Sequence, residues 1–477
     1  MTDTQGVQLM RLGVAAVARS TFDTDFAQRM ATAAFEVLES LGAELIGSPS
    51  LLLDEDAVNA AASAWAGADL DALVLVQASF ADSRLAVTLA ESTDAPLVLW
   101  AFPEDRTGGR LLINSFCGIN LAGFALKRRG RDYRWLYRRP SHPEAVAELK
   151  RTLLTSHPPS LPLAPAPGPD LLANAEADRA VEDVRFRLAS STIGIVGEHP
   201  AGFEPCAYDP TRLTEVTGVV AETVSLSPFF SRAREASDAD VAALRAEVAV
   251  DLQGMDRLDP LALDSSLRLN LGLTSLVDEH AWSAVATRCW PECFTEFGAA
   301  ACTPQALLSD AGVPACCEAD AYGSVTALVL QWLTGSPSFV ADLVELDLDG
   351  GTGVFWHCGL APMSLADPEA IATATVHANR NKPLLNEFPL KPGRVTLARF
   401  SQSAGKDRLM IGGGKMLRAP LAFAGTAGVV HFDRPVREVL DTVMGEGLEH
   451  HYGIGYGDVR AELYALADRL DLEVVAL

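Results

Sequence analysis

The first third of the chain alternates short apolar runs with amphipathic stretches. RLGVAAVAR at 11–19 reads as a strand, followed by Ser-Thr-x-Asp and a helical pattern from about 24 to 42. Glu44-Leu-Ile-Gly47 predicts a second strand and an Ala-rich helix follows near 55–67. LDALVLVQASF at 70–80 and APLVLWAFPE at 95–104 are near-continuous apolar runs with a helix between them. Strands apolar on both faces and alternating with helices predict a parallel sheet covered on both sides. A helix near 115–128, a basic strand at 133–139 and a helix at 142–155 complete this part. Binding loops of such sheets lie at the strand ends, here Arg19-Ser-Thr, Gln77-Ala-Ser-Phe and Phe102-Pro-Glu. None is a glycine-rich phosphate cradle, so a dinucleotide site is not supported.

HPPSLPLAPAPGPD at 157–170 holds six prolines without hydrophobic periodicity and predicts a semi-rigid connector. The alternation then resumes, with helices at 171–189, 209–217, 229–250 and 260–275 and strands at 191–197, 219–225 and 282–290. A Cys-Cys-Glu-x-Asp turn leads into a helix at 319–334. Beyond Val340 the texture changes to paired runs separated by Gly/Asp turns, LVELDLDGGTGVFWHCG and GRVTLARFSQSAGKDRLMIGGGKML, then AGVVHFDRP, which predict antiparallel hairpins. Gly412-Gly-Gly414 lacks phosphate-loop spacing and reads as a β-turn. A helix at 435–445, a loop at 447–453 carrying His450 and His451, and a helix at 457–470 end the chain. The expected class is α/β: two doubly wound parallel-sheet (Rossmann-like) domains, then a β-rich, barrel-like C-terminal domain. The boundaries are 1–157, a linker at 158–170, 171–342 carrying Glu318, and 343–477 carrying His357 and His451.

Composition narrows the function classes. A net charge of −24 argues against nucleic acid and anionic membrane surfaces, and an anionic substrate would need a local basic pocket. No run reaches the ~18 apolar residues of a spanning helix, and MTDTQGVQLM is no secretory leader, so a cytoplasmic location is expected. The eight cysteines form no disulfide framework by their spacing and read as small buried hydrophobes in a reducing compartment. Cys289-x3-Cys293 has no second pair to complete a zinc site. The basic cluster Lys127–Arg131 with Arg138 and Arg139 reads as a solvated face.

Chemistry concentrates between Gly312 and Gly359. Glu318 and Asp320 start a helix, where acids also simply complement the macrodipole. Asp342 interrupts an apolar strand, His357 ends one, and His450-His451 sits among glycines. Two carboxylates and a histidine form a minimal set for a divalent cation, with positions left for substrate hydroxyls. Neither Gly-x-Ser-x-Gly nor His-Glu-x-x-His occurs, so hydrolase readings lose their usual support.

Gly312-Val-Pro-Ala-Cys-Cys-Glu-Ala-Asp320, Ala341-Asp-Leu343, His357-Cys-Gly359, Arg288-Cys-Trp290 and His450-His-Tyr-Gly453 resemble the L-fucose and L-arabinose isomerase superfamily, in its L-fucose isomerase-like group. The order of parts resembles that family too. The resemblance implies a divalent-metal-dependent aldose–ketose isomerase acting through an enediolate on an open-chain 6-deoxy or 6-modified, L-fucose-like aldose. The alternatives are isomerisation of the sulfonated glucose sulfoquinovose, a non-catalytic sugar-binding protein on the same fold, and a metal-dependent lyase or epimerase. It implies Mn2+, or Co2+ or Mg2+, held by Glu318, Asp342 and His451, with Glu318 and Asp342 also catalytic and both pKa values raised toward neutrality. His357, His450, Arg288, Trp290 and Arg19 would contact the sugar, and Arg19, Arg288, Arg380 and Lys382 are the candidates for an anionic group. It also implies a homo-oligomer, a trimer or hexamer, with N-terminal loops completing a neighbour's site.

Overall fold

The computed structural model describes residues 10–65, 67–155 and 175–477, so the connector expected at 158–170 lies outside the described residues. The described residues form two compact units. One holds the chain up to Asp105, Leu112 to 155 and Met444–Gly447; the other holds Arg106–Leu111, 175–443 and Leu448–Leu477. Among the described residues no helix is long and apolar enough to cross a membrane.

In the first unit β1 (Arg11–Val17), α1 (Thr24–Ser40), β2 (Glu44–Leu52), α2 (Glu55–Ala64), β3 (Ala72–Gln77), α3 (Ser83–Glu91), β4 (Leu97–Ala101), α4 (Ser115–Arg128), β5 (Tyr133–Tyr137) and α5 (Ala145–Leu154) alternate as expected. The sheet is parallel in the order β2-β1-β3-β4-β5, a doubly wound arrangement that reverses direction between β1 and β3. Every residue of β3, β4 and β5 is buried, whereas edge strand β2 is partly exposed. Helix starts are fixed by aspartates: Asp23 accepts from the Phe26 N–H and Asp54 from the Ala57 N–H. The basic cluster is not one solvated face. Arg138 is buried and forked on Glu148 at 3.0 Å, because an arginine at a strand end reaches the acid of the covering helix α5.

The second unit opens with α6 (Ala175–Ala189), β6 (Thr192–Val196), α7 (Pro210–Thr217), β7 (Val220–Val224), α8 (Leu226–Glu235), α9 (Asp238–Val248), α10 (Pro260–His280), β8 (Ala284–Thr287), α11 (Cys302–Asp310), β9 (Ala315–Cys317) and α12 (Ala321–Thr334). Its four short strands pair in parallel in the order β7-β6-β8-β9. The hairpin region follows as β10 (Phe339–Asp347), β11 (Thr352–His357), β12 (Thr373–Thr375), β13 (Leu385–Pro389), β14 (Gly393–Ser401), β15 (Arg408–Leu417), β16 (Thr426–Phe432), α13 (Val436–Glu446), β17 (His451–Tyr456), α14 (Arg460–Arg469) and β18 (Glu473–Ala476). Antiparallel pairings run β11-β10-β17-β14-β15-β16 and return to β11, so six strands close into a barrel. Val325, Leu328 and Val329 of α12 share one core with Ile193 and Ile195 of β6 and with Ala398 and Phe400 of β14. That apolar helix is thus the common packing surface of sheet and barrel.

Three expectations are corrected here. The stretch 447–453 is not a loop throughout, because His451 already begins β17 inside the barrel. Its Gly453 marks packing rather than a turn: a Cβ there would lie 2.7 Å from Thr326 and 2.8 Å from Leu330 of α12. Gly412–Gly414 likewise lies within β15, where a Cβ on Gly414 would come within 2.7 Å of the His431 carbonyl. Cys289 and Cys317 are joined by a disulfide, with Cα atoms 5.9 Å apart. Sequence separation hid the pair, but β8 and β9 are parallel neighbours whose ends coincide at Thr287 and Cys317.

Candidate metal centre

The site begins where β9 ends. After Cys317 the chain turns through Glu318 and Ala319, at φ 61° and 55°. This left-handed conformation costs a residue with a side chain about 1–2 kcal/mol. The Ala319 N–H donates to the Thr287 carbonyl at 3.2 Å, which fastens the turn to β8. Asp320 caps α12, its Oδ1 accepting from the Gly323 N–H at 2.9 Å. A Cβ at position 323 would lie 2.5 Å from Asp320 Oδ2, so glycine keeps that oxygen clear for other partners.

Those partners are Arg399 and His451. Arg399 of β14 forks onto Asp320 at 2.5 and 2.9 Å with both side chains almost fully buried. His451 Nδ1 lies 2.8 Å from Asp320 Oδ2. A carboxylate only accepts, so Nδ1 carries the proton and Nε2 presents its lone pair to the site.

The barrel supplies the rest. Asp342 of β10 is the cross-strand partner of His451 on β17, and such partners project from the same face. Asp342 Oδ1 lies 3.4 Å from His451 Nε2, and Glu318 Oε2 lies 3.7 Å from the same nitrogen. His450 Nε2 is 3.1 Å from Glu318 Oε2, and its ring stacks on His451 with centroids 4.0 Å apart. Trp290 donates its Nε1–H to Glu318 Oε1 at 3.2 Å. The His357 ring sits 5.8 Å from that of His451 and its Nδ1 accepts from the Cys358 N–H at 2.9 Å.

Asp342 Oδ1 and His451 Nε2 are buried without a hydrogen-bond partner. Each unmet buried group costs about 1–3 kcal/mol, and a divalent cation shared with Glu318 Oε2 would satisfy both. Cys206, Glu318, His450 and His451 also offer ligand atoms within 4.8 Å of one another. Burial, with Asp320 and Glu318 nearby, pushes the Cys206 thiol well above its ordinary value, and its soft sulfur suits a hard cation less well than carboxylate oxygens do. The donor set that fits a hard cation is therefore two carboxylates and an imidazole.

Burial alone would raise the Glu318 carboxyl. The hydrogen bond from His450 and the charges of His451, His450 and His357 outweigh it and hold the group at about 2. The expectation of a raised value thus fails for Glu318, because the site surrounds it with imidazoles. Burial lowers His450, but Glu318 and Asp342 bring it above its ordinary value. For His451, burial and then the neighbouring His450 keep it low, the form that offers Nε2 to a cation.

The structure brings together Glu318, Asp342, His357, His450, His451 and Trp290. Arg288 is instead engaged in a fork on Glu292 at 2.7 and 2.6 Å. Arg19 belongs to the first unit, where its guanidinium packs on the Phe80 ring. Asp320 was legible only as a helix-start acid, and Arg399 was not singled out; a lone arginine inside VTLARFS was its one signal.

Comparison with known proteins bears on the class of the molecule. Residues 13–154 match the family described as fucose/sulfoquinovose isomerase, N-terminal domain. A sulfoquinovose isomerase of Alkalicoccus urumqiensis is 29% identical over 467 residues, covering 97% of this chain and 98% of that protein. One from Priestia aryabhattai is 26% identical over 458 residues, covering 96% and 97%, and one from Clostridium sp. (strain MSTE9) is 29% identical over 405 residues, covering 84% and 85%. The chain is an isomerase. It is similar to the fucose isomerase-like superfamily, by the N-terminal domain over residues 13–154 and by the sulfoquinovose isomerases along nearly its whole length.

Proposed function

We propose that the protein is a divalent-metal-dependent aldose–ketose isomerase whose substrate is open-chain sulfoquinovose rather than a neutral L-fucose-like aldose. The observation that carries the metal part is the pair of unpartnered buried atoms, Asp342 Oδ1 and His451 Nε2, facing Glu318 Oε2. Support for the sugar comes from relatives named sulfoquinovose isomerase that align along nearly the whole chain.

In this reading Glu318, Asp342 and His451 hold the cation, Mn2+ by family resemblance, with Co2+ or Mg2+ as substitutes. A cation there supplies Lewis-acid polarisation of the sugar's C1 carbonyl and C2 hydroxyl, which acidifies the C2 proton. Glu318 takes that proton and returns it at C1, its carboxylate oriented by the Trp290 N–H and by His450. Asp342 moves a proton between the two sugar oxygens. Asp320, held by Arg399, orients the His451 ring and fixes its tautomer. A trimeric or hexameric assembly belongs to the same reading.

The test is to strip the protein with EDTA, restore Mn2+ and follow replacement of the C2 hydrogen in D2O with sulfoquinovose, glucose and L-fucose. Metal-dependent exchange with sulfoquinovose is expected. Exchange with L-fucose alone would replace the substrate, and exchange with no aldose would remove the isomerase reading.

A further inference from the structure

The proposed substrate carries a fixed negative charge on C6 while the chain carries a net charge of −24. The long-range field therefore opposes binding and a local cation has to overcome it. The arginines near the metal centre are mostly committed: Arg399 to Asp320 and Arg288 to Glu292. Arg380 differs. Its half-buried guanidinium lies over the rings of Trp290 and Phe294, 5.3 and 5.0 Å from their centroids. Among the described residues no carboxylate forms an ion pair with it.

Two aromatic rings fix the guanidinium without consuming its N–H donors, which remain for an acceptor with several oxygens. A partly desolvated cation lacking a counter-charge is costly, and a bound anion offsets that cost. Trp290 links this cation to the reaction centre. Its Nε1–H holds Glu318 at 3.2 Å while its ring carries Arg380, so one side chain touches both groups.

From this geometry we infer that Arg380 binds the C6 sulfonate of the substrate, with Trp290 setting its distance from Glu318; the inference rests on the isomerase reading above. Arg380 is then the specificity-determining residue. It selects the sulfonated sugar over glucose, which presents a neutral hydroxyl at the same carbon.

The test compares wild type, R380Q and R380K by the ratio of kcat/KM for sulfoquinovose to that for glucose. In R380Q the ratio falls about 10–100-fold, the range of a lost charge-assisted hydrogen-bonded pair, with the change mainly in KM. R380K, which keeps the charge without the fork, recovers part of it. An unchanged ratio in R380Q overturns the assignment. Ethanesulfonate binding, followed by tryptophan fluorescence in the Mn2+-loaded proteins, is the second measurement. Wild type binds it and R380Q does not; equal binding, or none in either, also overturns the assignment. Failure of the isomerase reading is a separate result, since it shows as no C2 exchange with any sugar in the wild type, and the ethanesulfonate comparison still decides the role of Arg380.

Discussion

His451 Nδ1 and Asp320 Oδ2 meet at 2.8 Å, and each residue is only 1% exposed. One contact thereby joins the first residue of a barrel strand to the cap of the helix that packs against the barrel. It also decides which nitrogen of His451 faces the reaction centre.

Asp320→Asn keeps the helix cap but removes the charge that fixes the imidazole. Mn2+ affinity, measured by isothermal titration, should fall about 10–100-fold, the usual effect of losing a carboxylate behind a metal-binding histidine. His451→Ala should weaken Mn2+ binding more than His450→Ala. The reverse order would exchange their roles.

Arg399→Met leaves Asp320 buried without its counter-charge. Breaking a buried pair on one side costs about 3–5 kcal/mol, to be read from urea unfolding. The double variant with Asp320→Asn should lose less than the sum of the single losses, because the two side chains are in contact.

Glu318→Gln preserves shape and one hydrogen bond while abolishing the base. Turnover should drop about 10²–10⁴-fold with the circular dichroism spectrum intact. Near-normal activity would move the base to another residue.

The acid side of the stability curve should carry the signature of this carboxylate. Its folded value is about 2 against an ordinary 4.5, and Asp320 is also depressed, first opposed by burial and then held down by Arg399 and His451. For depressed groups the stabilisation is complete above the ordinary value and is lost as pH falls toward the folded one. Metal-free protein should therefore destabilise progressively from about pH 4.5 downward. Glu318→Gln should show a shallower decline, seen in urea midpoints between pH 6 and 3; parallel curves would contradict the imidazole–carboxylate interaction.

The disulfide gives a chemical count. Of eight cysteines, Cys289 and Cys317 are bonded and six are free. Denatured, unreduced protein should therefore react with six equivalents of a thiol reagent, two fewer than after reduction. Eight without reductant would show the pair open.

Much of the fold was legible because apolar runs and glycine-marked turns follow directly from strand and helix periodicity. β3 and β4 are buried along their length, and the β10–β11 and β14–β15 hairpins fall where the Gly/Asp turns predicted them. The reading failed where glycine served packing: Gly453 and Gly414 make room for neighbours rather than bending the chain. At the site, residue types pointed to Glu318, Asp342 and His451, but nothing local revealed the Asp320–Arg399 support. Those two residues are 79 positions apart and meet only because α12 lies against β14. Arg288 misled for the opposite reason, its charge being consumed four residues onward by Glu292.

The closed ring of β10, β11, β14, β15, β16 and β17 has a consequence for how this chain can tolerate insertions and deletions. An open sheet can let an edge strand slide, but a ring has no free side on which to release a misaligned ladder. Removing one residue from β10 ahead of Asp342 would swing that carboxylate to the opposite face from His451, with five other strands resisting any compensating slip. Length changes should instead accumulate at hairpin tips such as Gly350-Gly351, where an added residue leaves the Asp342–His451 register untouched.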